Sequence, residues 1–336
     1  MKNFWSELPK PILALAPMAG VTDTAFRQMC KRFGADVIYT EFASANALVY
    51  ENKKTRDLIA YSAEEQPVVC QIFGRDPEMF FKSAKILESM GFAGVDINFG
   101  CPAYKVVKHG GGVSLMKNPK LCAEIVQATC EGSNLPVSIK IRASIKADQD
   151  TKDKIEGDDS LDTYECAVDV VTALDLVNAI KHLPAQAIMI HARSFEQPFD
   201  GEPNVDIIAQ VRKIWPRILI ANGGIYSPEK AQEILDQTNA DGVGIARGAW
   251  GKPWIFRQIK DFLSHSSYSH PDWENIKKCM LEHASLALSS KGSHGLLDLR
   301  KHLAWYVKGM PGAAEIRSKL VKVNTLGEIA SILESN

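Results

Sequence analysis

The segment that decides the fold is ILIANGGIYSPEKAQEILDQTNADGVGIARG, residues 218–248. It opens on a short apolar run, Ile218–Ala221, closed by Asn222-Gly223-Gly224. Ser227-Pro228 then supplies an N-cap and a first-turn proline, and a helix is predicted over Pro228–Gln237. A second apolar run, Gly242–Ile245, ends at Ala246-Arg247-Gly248. Strand, helix and strand in this order read as one unit of a parallel α/β fold.

The unit recurs along the chain. Apolar runs bounded by Gly, Pro or charge predict strands at Ile12–Ala16, Asp36–Thr40, Val68–Ile72, Gly94–Asn98, Val137–Ile141 and Ala187–His191, making eight in all. Helices are predicted at Asp23–Phe33, Pro77–Met90, Pro119–Cys130, Tyr164–His182 and Val205–Ile214, several behind a cap: Thr22, Asp76-Pro77 and Asn118-Pro119. Eight strand–helix units predict a (β/α)8 TIM barrel. A doubly wound sheet uses fewer strands and places a phosphate loop, often GxGxxG, after the first one; here Pro17-Met18-Ala19-Gly20 follows instead. The alternation stops near Lys260. LSHSSYSHPD (263–272) reads as a linker, and helical spacing runs on from Asp272 through Leu296–Val307, Ala313–Val321 and Leu326–Leu333. The expected organisation is a barrel over residues 1–260 and a small all-helical C-terminal domain over 261–336. Ala143–Ser160, with six acidic residues against three lysines, reads as a long solvated excursion after the fifth strand.

Composition narrows the class. With 46% hydrophobic and 24% charged residues the chain is an ordinary globular protein, which excludes disordered and fibrous classes. The longest charge-free run, Pro11–Thr22, is twelve residues, too short to span a bilayer, and no apolar leader opens the sequence, so no membrane association and a cytoplasmic location are expected. A net charge of −1 excludes a globally basic nucleic-acid binder but leaves room for a basic patch. Seven cysteines, none in a CxxC pair, and scattered histidines predict reduced thiols and no metal.

In a barrel of this kind chemistry sits at the C-terminal ends of the strands. Those ends carry Pro17-Met18-Ala19, Gln71, Asn98 with Cys101, Lys140 with Arg142, His191, Asn222-Gly223-Gly224 and Ala246-Arg247. Gly223 and Gly224 either turn the chain or, with the Arg247 charge beside them, cradle a phosphate on bare backbone N–H groups. Lys140 follows an apolar strand and would point a cation into the mouth, where it could neutralise negative charge on a reduced flavin ring. His191 reads as a ligand contact or a hydrogen-bonded core histidine, and Gln71 as a partner for a heterocycle edge or a satisfied structural amide. Cys101 stands between Gly100 and Pro102 in a rigid turn. An ordinary thiol is protonated at neutral pH, which suits a general acid. Cys30, Cys70, Cys122, Cys130, Cys166 and Cys279 read as small buried apolar side chains.

These residues carry a resemblance. PMAGVTDTAFR (17–27), QIFG (71–74), GVDINFGCP (94–102), KHGGGVSLMKNP (108–119), SIKIR (138–142), IMIHAR (188–193), IANGGI (220–225), DGVGIARGAWGKPWIF (241–256) and RKHLAWYVKGMPGA (300–313) resemble, in order, the tRNA-dihydrouridine synthases, FMN-dependent barrel enzymes, and their bacterial B-type branch in particular. The resemblance implies that Pro17, Met18, Ala19, Gln71, Lys140, His191, Asn222, Gly223, Gly224, Ala246 and Arg247 hold FMN and its phosphate. It implies that Cys101 is the proton donor, that Asn98 faces the target base with Arg142 also on the substrate, and that NADPH is the reductant. The family more often shows Gly where this chain has Ala246, and His-Gly-Arg-Thr where it has His191-Ala-Arg193-Ser.

The implied reaction reduces C5=C6 of a uridine in tRNA: hydride from flavin reaches C6, charge develops toward C5 and O4, and Cys101 protonates C5. The base must leave its stack to arrive there. Between Arg300 and Lys322 six Lys or Arg face one acid, Glu315, with His302, Trp305 and Tyr306 interleaved, a surface for RNA; Trp305 by itself reads better as a packed aromatic. A monomer is favoured. Two other readings compete: an FMN barrel acting on a small pyrimidine, which would not need the basic helical tail, and an RNA-binding protein without catalysis, which would not need Cys101, Lys140 and the phosphate cradle together.

Overall fold

The computed structural model of the chain describes residues 3–147, 169–197 and 201–335. Eight parallel strands form the centre: β1 Ile12–Leu15, β2 Val37–Tyr39, β3 Val68–Phe73, β4 Gly94–Phe99, β5 Val137–Arg142, β6 Ala187–His191, β7 Ile218–Asn222 and β8 Gly242–Ile245. Each pairs with its neighbour in sequence, and β8 pairs back onto β1 with Ile12 opposite Gly242, so the sheet closes into the barrel that the sequence predicts. Apolar side chains of the strands and the surrounding helices form the main core, built from residues such as Leu13, Phe26, Phe80, Ile139 and Trp215. The barrel's own filling is a second cluster, with Trp5, Tyr39, Val69, Met189 and Ile220 packed together.

Local chemistry sets the helix starts. Asp76, Asn118 and Ser227 each accept a backbone N–H of the first turn, with proline behind them. One start differs from expectation: Asp23, not Thr22, caps the first helix (Thr24–Arg32) by accepting from Phe26 N. The Thr22 hydroxyl is instead turned back onto Met18.

The predicted helix Tyr164–His182 is shorter. Residues 164–168 lie outside the described residues, as do Cys166 and residues 148–160 of the polar excursion. Val170–Thr172 is a strand, paired antiparallel with Ser144–Lys146. Two β-branched valines and a threonine favour that conformation. Thr172 then forms a capping box with Asp175 and starts the helix at Ala173.

The helix Ile255–His265 runs through residue 260, so the chain leaves the barrel at Ser266, which has a left-handed φ of 56°, and Leu263–His265 remain helical. Four helices follow, Trp273–Lys291, Ser293–Tyr306, Ala313–Leu320 and Leu326–Glu334. Their apolar faces share a cluster with Ala25, Met29 and Trp254 from the barrel side. Lys291 bridges Asp23 at 3.1 Å across that junction. Gly251 (φ +63°) lies so close to Trp305 that a Cβ there would collide with its backbone. The helix Ser293–Tyr306 is thereby pressed against the barrel rim. Among the described residues no helix is long and apolar enough to cross a membrane.

Candidate active site

One cavity of about 990 Å³ opens at the C-terminal ends of the strands. All the residues expected at the site line it: Pro17, Met18 and Ala19 after β1, Gln71 on β3, Asn98 and Cys101 at the end of β4, Lys140 and Arg142 on β5, His191 on β6, Asn222, Gly223 and Gly224 on and after β7, and Ala246 and Arg247 after β8. Their convergence follows from register: Asn98 lies beside Lys140, Arg142 beside His191 and Asn222 beside Gly244. The period-2 alternation of strands sends every second side chain inward.

The loop after β1 is fixed from behind. Thr22 Oγ1 bonds Met18 N and O, both at 3.1 Å, and Arg27 Nη1 donates to Thr22 O at 2.8 Å. Arg27 in turn pairs with Glu65 at 2.5 Å, both side chains fully buried. Trp250 Nε1 donates to Met18 Sδ at 3.2 Å.

Cys101 sits in a turn tied to Asn98. Asn98 Oδ1 accepts from Gly100 N at 3.0 Å and from Cys101 N at 2.8 Å, and Asn98 Nδ2 donates to Gln71 Oε1 at 2.8 Å. Arg142 straps the same turn, donating from Nε to Gly100 O at 3.0 Å and from Nη1 to Ser194 O at 2.8 Å. Burial pushes the Cys101 thiol up from its ordinary value, while an Ala103 N–H bond and the charges of Lys140 and Arg142 pull the other way. At neutral pH the thiol keeps its proton.

Lys140 is held down to about 8 by burial and by Arg142, with Asp96 and Cys101 partly restoring it. His191 is pushed down to about 2 by burial and by the cations Lys140, Arg142, Arg193 and Arg247, so it is a neutral imidazole. Among the described residues the lining holds five cations (Lys140, Arg142, Arg193, Arg247 and Lys301) and no Asp or Glu. Such a cavity favours an anion.

The loop after β7 is shaped for one. Gly223 (φ +119°) and Gly224 (φ +75°) occupy backbone conformations that suit glycine, and a Cβ on Gly223 would come within 2.9 Å of His191 Cδ2. Neither N–H has a partner among the described residues. Asn222 Nδ2 donates to Gly244 O at 2.6 Å and locks the strand end. Bare N–H groups, Arg247 and a neutral imidazole fit a phosphate, and the cationic, largely apolar cavity below fits a flavin ring.

Some lining residues were not singled out by their position at strand ends. Phe42 and Trp250 line the cavity, and Trp250 stacks on Trp305 with centroids 4.4 Å apart at 6°. Lys301 and Trp305, four apart on one helix face, reach the same cavity, so Trp305 is both packed and at the rim. For these two the sequence signal was the basic and aromatic interleaving between Arg300 and Lys322. Among the described residues no group of three or more His, Cys, Asp or Glu could hold a metal ion.

A closed parallel eight-stranded barrel with a cationic cavity and a protonated thiol at the C-terminal ends of its strands has the build of a barrel enzyme. The comparisons give the family. A family model described as dihydrouridine synthase matches residues 14–161 and 165–335. The tRNA-dihydrouridine synthase B of Pseudomonas aeruginosa is 32% identical over 95% of this chain and 91% of its own length. A probable tRNA-dihydrouridine synthase of Rickettsia conorii is 34% identical over 93% of this chain and 89% of its own. Among solved structures, histamine dehydrogenase from Rhizobium sp. 4-9 shares the fold, with a TM-score of 0.54 at 9% identity over 96% of this chain and 62% of that one. The chain belongs to the dihydrouridine synthase family.

Proposed function

We propose that the rim cavity receives FMN and one extruded uridine of a tRNA together, and that the protein reduces the C5=C6 bond of that uridine to 5,6-dihydrouridine with NADPH as reductant. The observation that carries this reading is the gathering of Cys101, Lys140, the Gly223-Gly224 cradle and Arg247 in one cavity whose charged lining is wholly cationic.

The residues divide the work as follows. Gly223, Gly224 and Arg247 take the FMN phosphate, with Asn222 and Ala246 shaping the pocket. Pro17, Met18, Ala19, Gln71 and His191 line the ring, and Lys140 sets a positive charge against it. When bound, the flavin supplies the hydride that C6 accepts. Cys101 holds a proton at Sγ and delivers it to C5, on a pyrimidine whose conjugated C4 carbonyl makes C5 basic as charge develops. Asn98 keeps one Nδ2 hydrogen beyond its bond to Gln71 and turns it toward the base, while Arg142 holds the thiol turn and borders the substrate. The apolar lining excludes water and strengthens each of these contacts.

The barrel, which the chain leaves at Ser266, binds the flavin and carries the chemistry; the helices from Trp273 onward grip the RNA. Lys301 and Trp305 bring that grip to the cavity mouth, where an extruded base passes the Trp250–Trp305 pair. The test is direct. Purified protein should show a flavin absorption spectrum, and unmodified tRNA incubated with it and NADPH should gain two hydrogens per target uridine by mass spectrometry. A flavoprotein that reduces a free pyrimidine and leaves tRNA unchanged would establish the small-molecule reading instead.

A further inference from the structure

We infer that Asp96 is a positioning residue for the reaction: its carboxylate sets the orientation of two side-chain amides in series and so fixes the turn that carries the Cys101 thiol. The inference rests on the proposed role of Cys101.

Asp96 lies on β4, two residues before Asn98, so both side chains point into the barrel. It is fully buried. Its Oδ1 accepts from Ser138 Oγ at 2.6 Å and its Oδ2 from Gln71 Nε2 at 2.6 Å. An ionised carboxylate can only accept. Gln71 must therefore present its NH2 to Asp96, which turns its Oε1 to Asn98. Asn98 must answer with Nδ2 at 2.8 Å, which turns its Oδ1 onto the N–H groups of Gly100 and Cys101. Both ends of the chain are fixed, since the carboxylate can only accept and the two backbone N–H groups of the turn can only donate; the two amides between them satisfy both ends in this one orientation.

A buried charge is costly, and apolar residues such as Tyr39, Val69 and Met189 fill the barrel around it. The charged and titratable groups facing it are few. Lys140 on β5 attracts it, while Tyr39 and Cys70 remain neutral because burial raises both, Cys70 to about 12. Burial lifts Asp96 itself to about 6, leaving it ionised at neutral pH.

The test is amide hydrogen exchange at Gly100 and Cys101 in the full-length, flavin-loaded protein, measured without tRNA. In Asp96→Asn the introduced amide can offer Gln71 either its oxygen or its NH2, so only the N–H groups of the turn still hold the direction; in molecules where the chain reverses, Asn98 sets its NH2 against those two donors and both turn bonds are lost. Exchange at the two amides should rise at least tenfold. The double variant Asp96→Asn with Asn98→Asp restores an acceptor that cannot flip, and protection should return to within threefold of the parent. Unchanged exchange in the single variant, or a folded double variant left unprotected, overturns the inference. If the single variant does not fold, the double variant decides by the same criterion. Turnover gives a second readout, with kcat falling in Asp96→Asn while KM for tRNA holds. A parent protein that shows the exchange pattern but reduces no uridine removes the proposed function and leaves the relay standing.

Discussion

Replacing Arg27 by Met tests how the cavity is held from behind. Arg27 is fully buried; its Nε pairs with Glu65 at 2.5 Å, its Nη1 bonds Thr22 O at 2.8 Å and its Nη2 bonds Ala60 O at 2.7 Å. Glu65 also accepts from Thr24 Oγ1 and Ser62 N. Methionine fills much of the same volume but leaves a buried carboxylate without its cation and two carbonyls without donors. Breaking such a pair costs about 3–5 kcal/mol. With about 2.1 cal/mol/K of unfolding entropy per residue over 336 residues, the melting temperature should drop by roughly 4–7 °C. Removing both charges, as Arg27→Met with Glu65→Met, should cost less than the single change because no uncompensated charge remains. Flavin affinity should fall in the single variant as well, since Thr22 O anchors the Met18 loop. Thermal unfolding by circular dichroism and flavin titration measure both. A single variant that melts within about 1 °C of the parent, or a double variant worse than the single, would refute the reasoning.

Three further outcomes follow from the same site. Burial holds Lys140 near 8 in the flavin-free protein against an ordinary value of about 10.4, so between these values the unfolded chain binds more protons and this group's contribution to stability rises with pH. An anionic flavin raises the Lys140 value, so flavin binding takes up a proton above pH 8; affinity should fall by up to tenfold per pH unit there, and fluorescence titration of Lys140→Met should show a flat profile. Gly223→Ala should fold yet bind flavin at least tenfold more weakly, because its Cβ meets His191 at 2.9 Å and its φ of +119° disfavours any side chain; unchanged affinity by titration would exclude the cradle. Lys301→Ala should raise KM for tRNA severalfold and flatten its dependence on salt while leaving flavin binding intact, measured by kinetics at two ionic strengths.

The barrel was legible because each strand is a short apolar run with a Gly, Pro or charge at its end, and because closure needs no information beyond eight such units. The strand ends likewise exposed the cavity residues: a parallel barrel places them together whatever the loops do. Val170–Thr172 was misjudged because valines in a run fit a helix face as well as a hairpin, and the decisive partner, Ser144–Lys146, lies far along the chain. For the same reason the motif containing Arg27 gave no hint that its charge is spent on Glu65, thirty-eight residues away. Beside the base-facing role expected for Asn98, its oxygen holds the thiol turn, a backbone contact that spacing does not encode. Phe42 and Trp250 reach the rim through loop geometry alone.

The central claim is that one thiol and one flavin serve the same uracil in this cavity. The most direct measurement compares the parent with Cys101→Ala, both loaded with flavin, mixed with NADPH and unmodified tRNA. The account predicts that both proteins are yellow, that NADPH bleaches both at similar rates, and that only the parent adds two hydrogens to uridine. A Cys101→Ala protein that forms dihydrouridine at the parent's rate would contradict it.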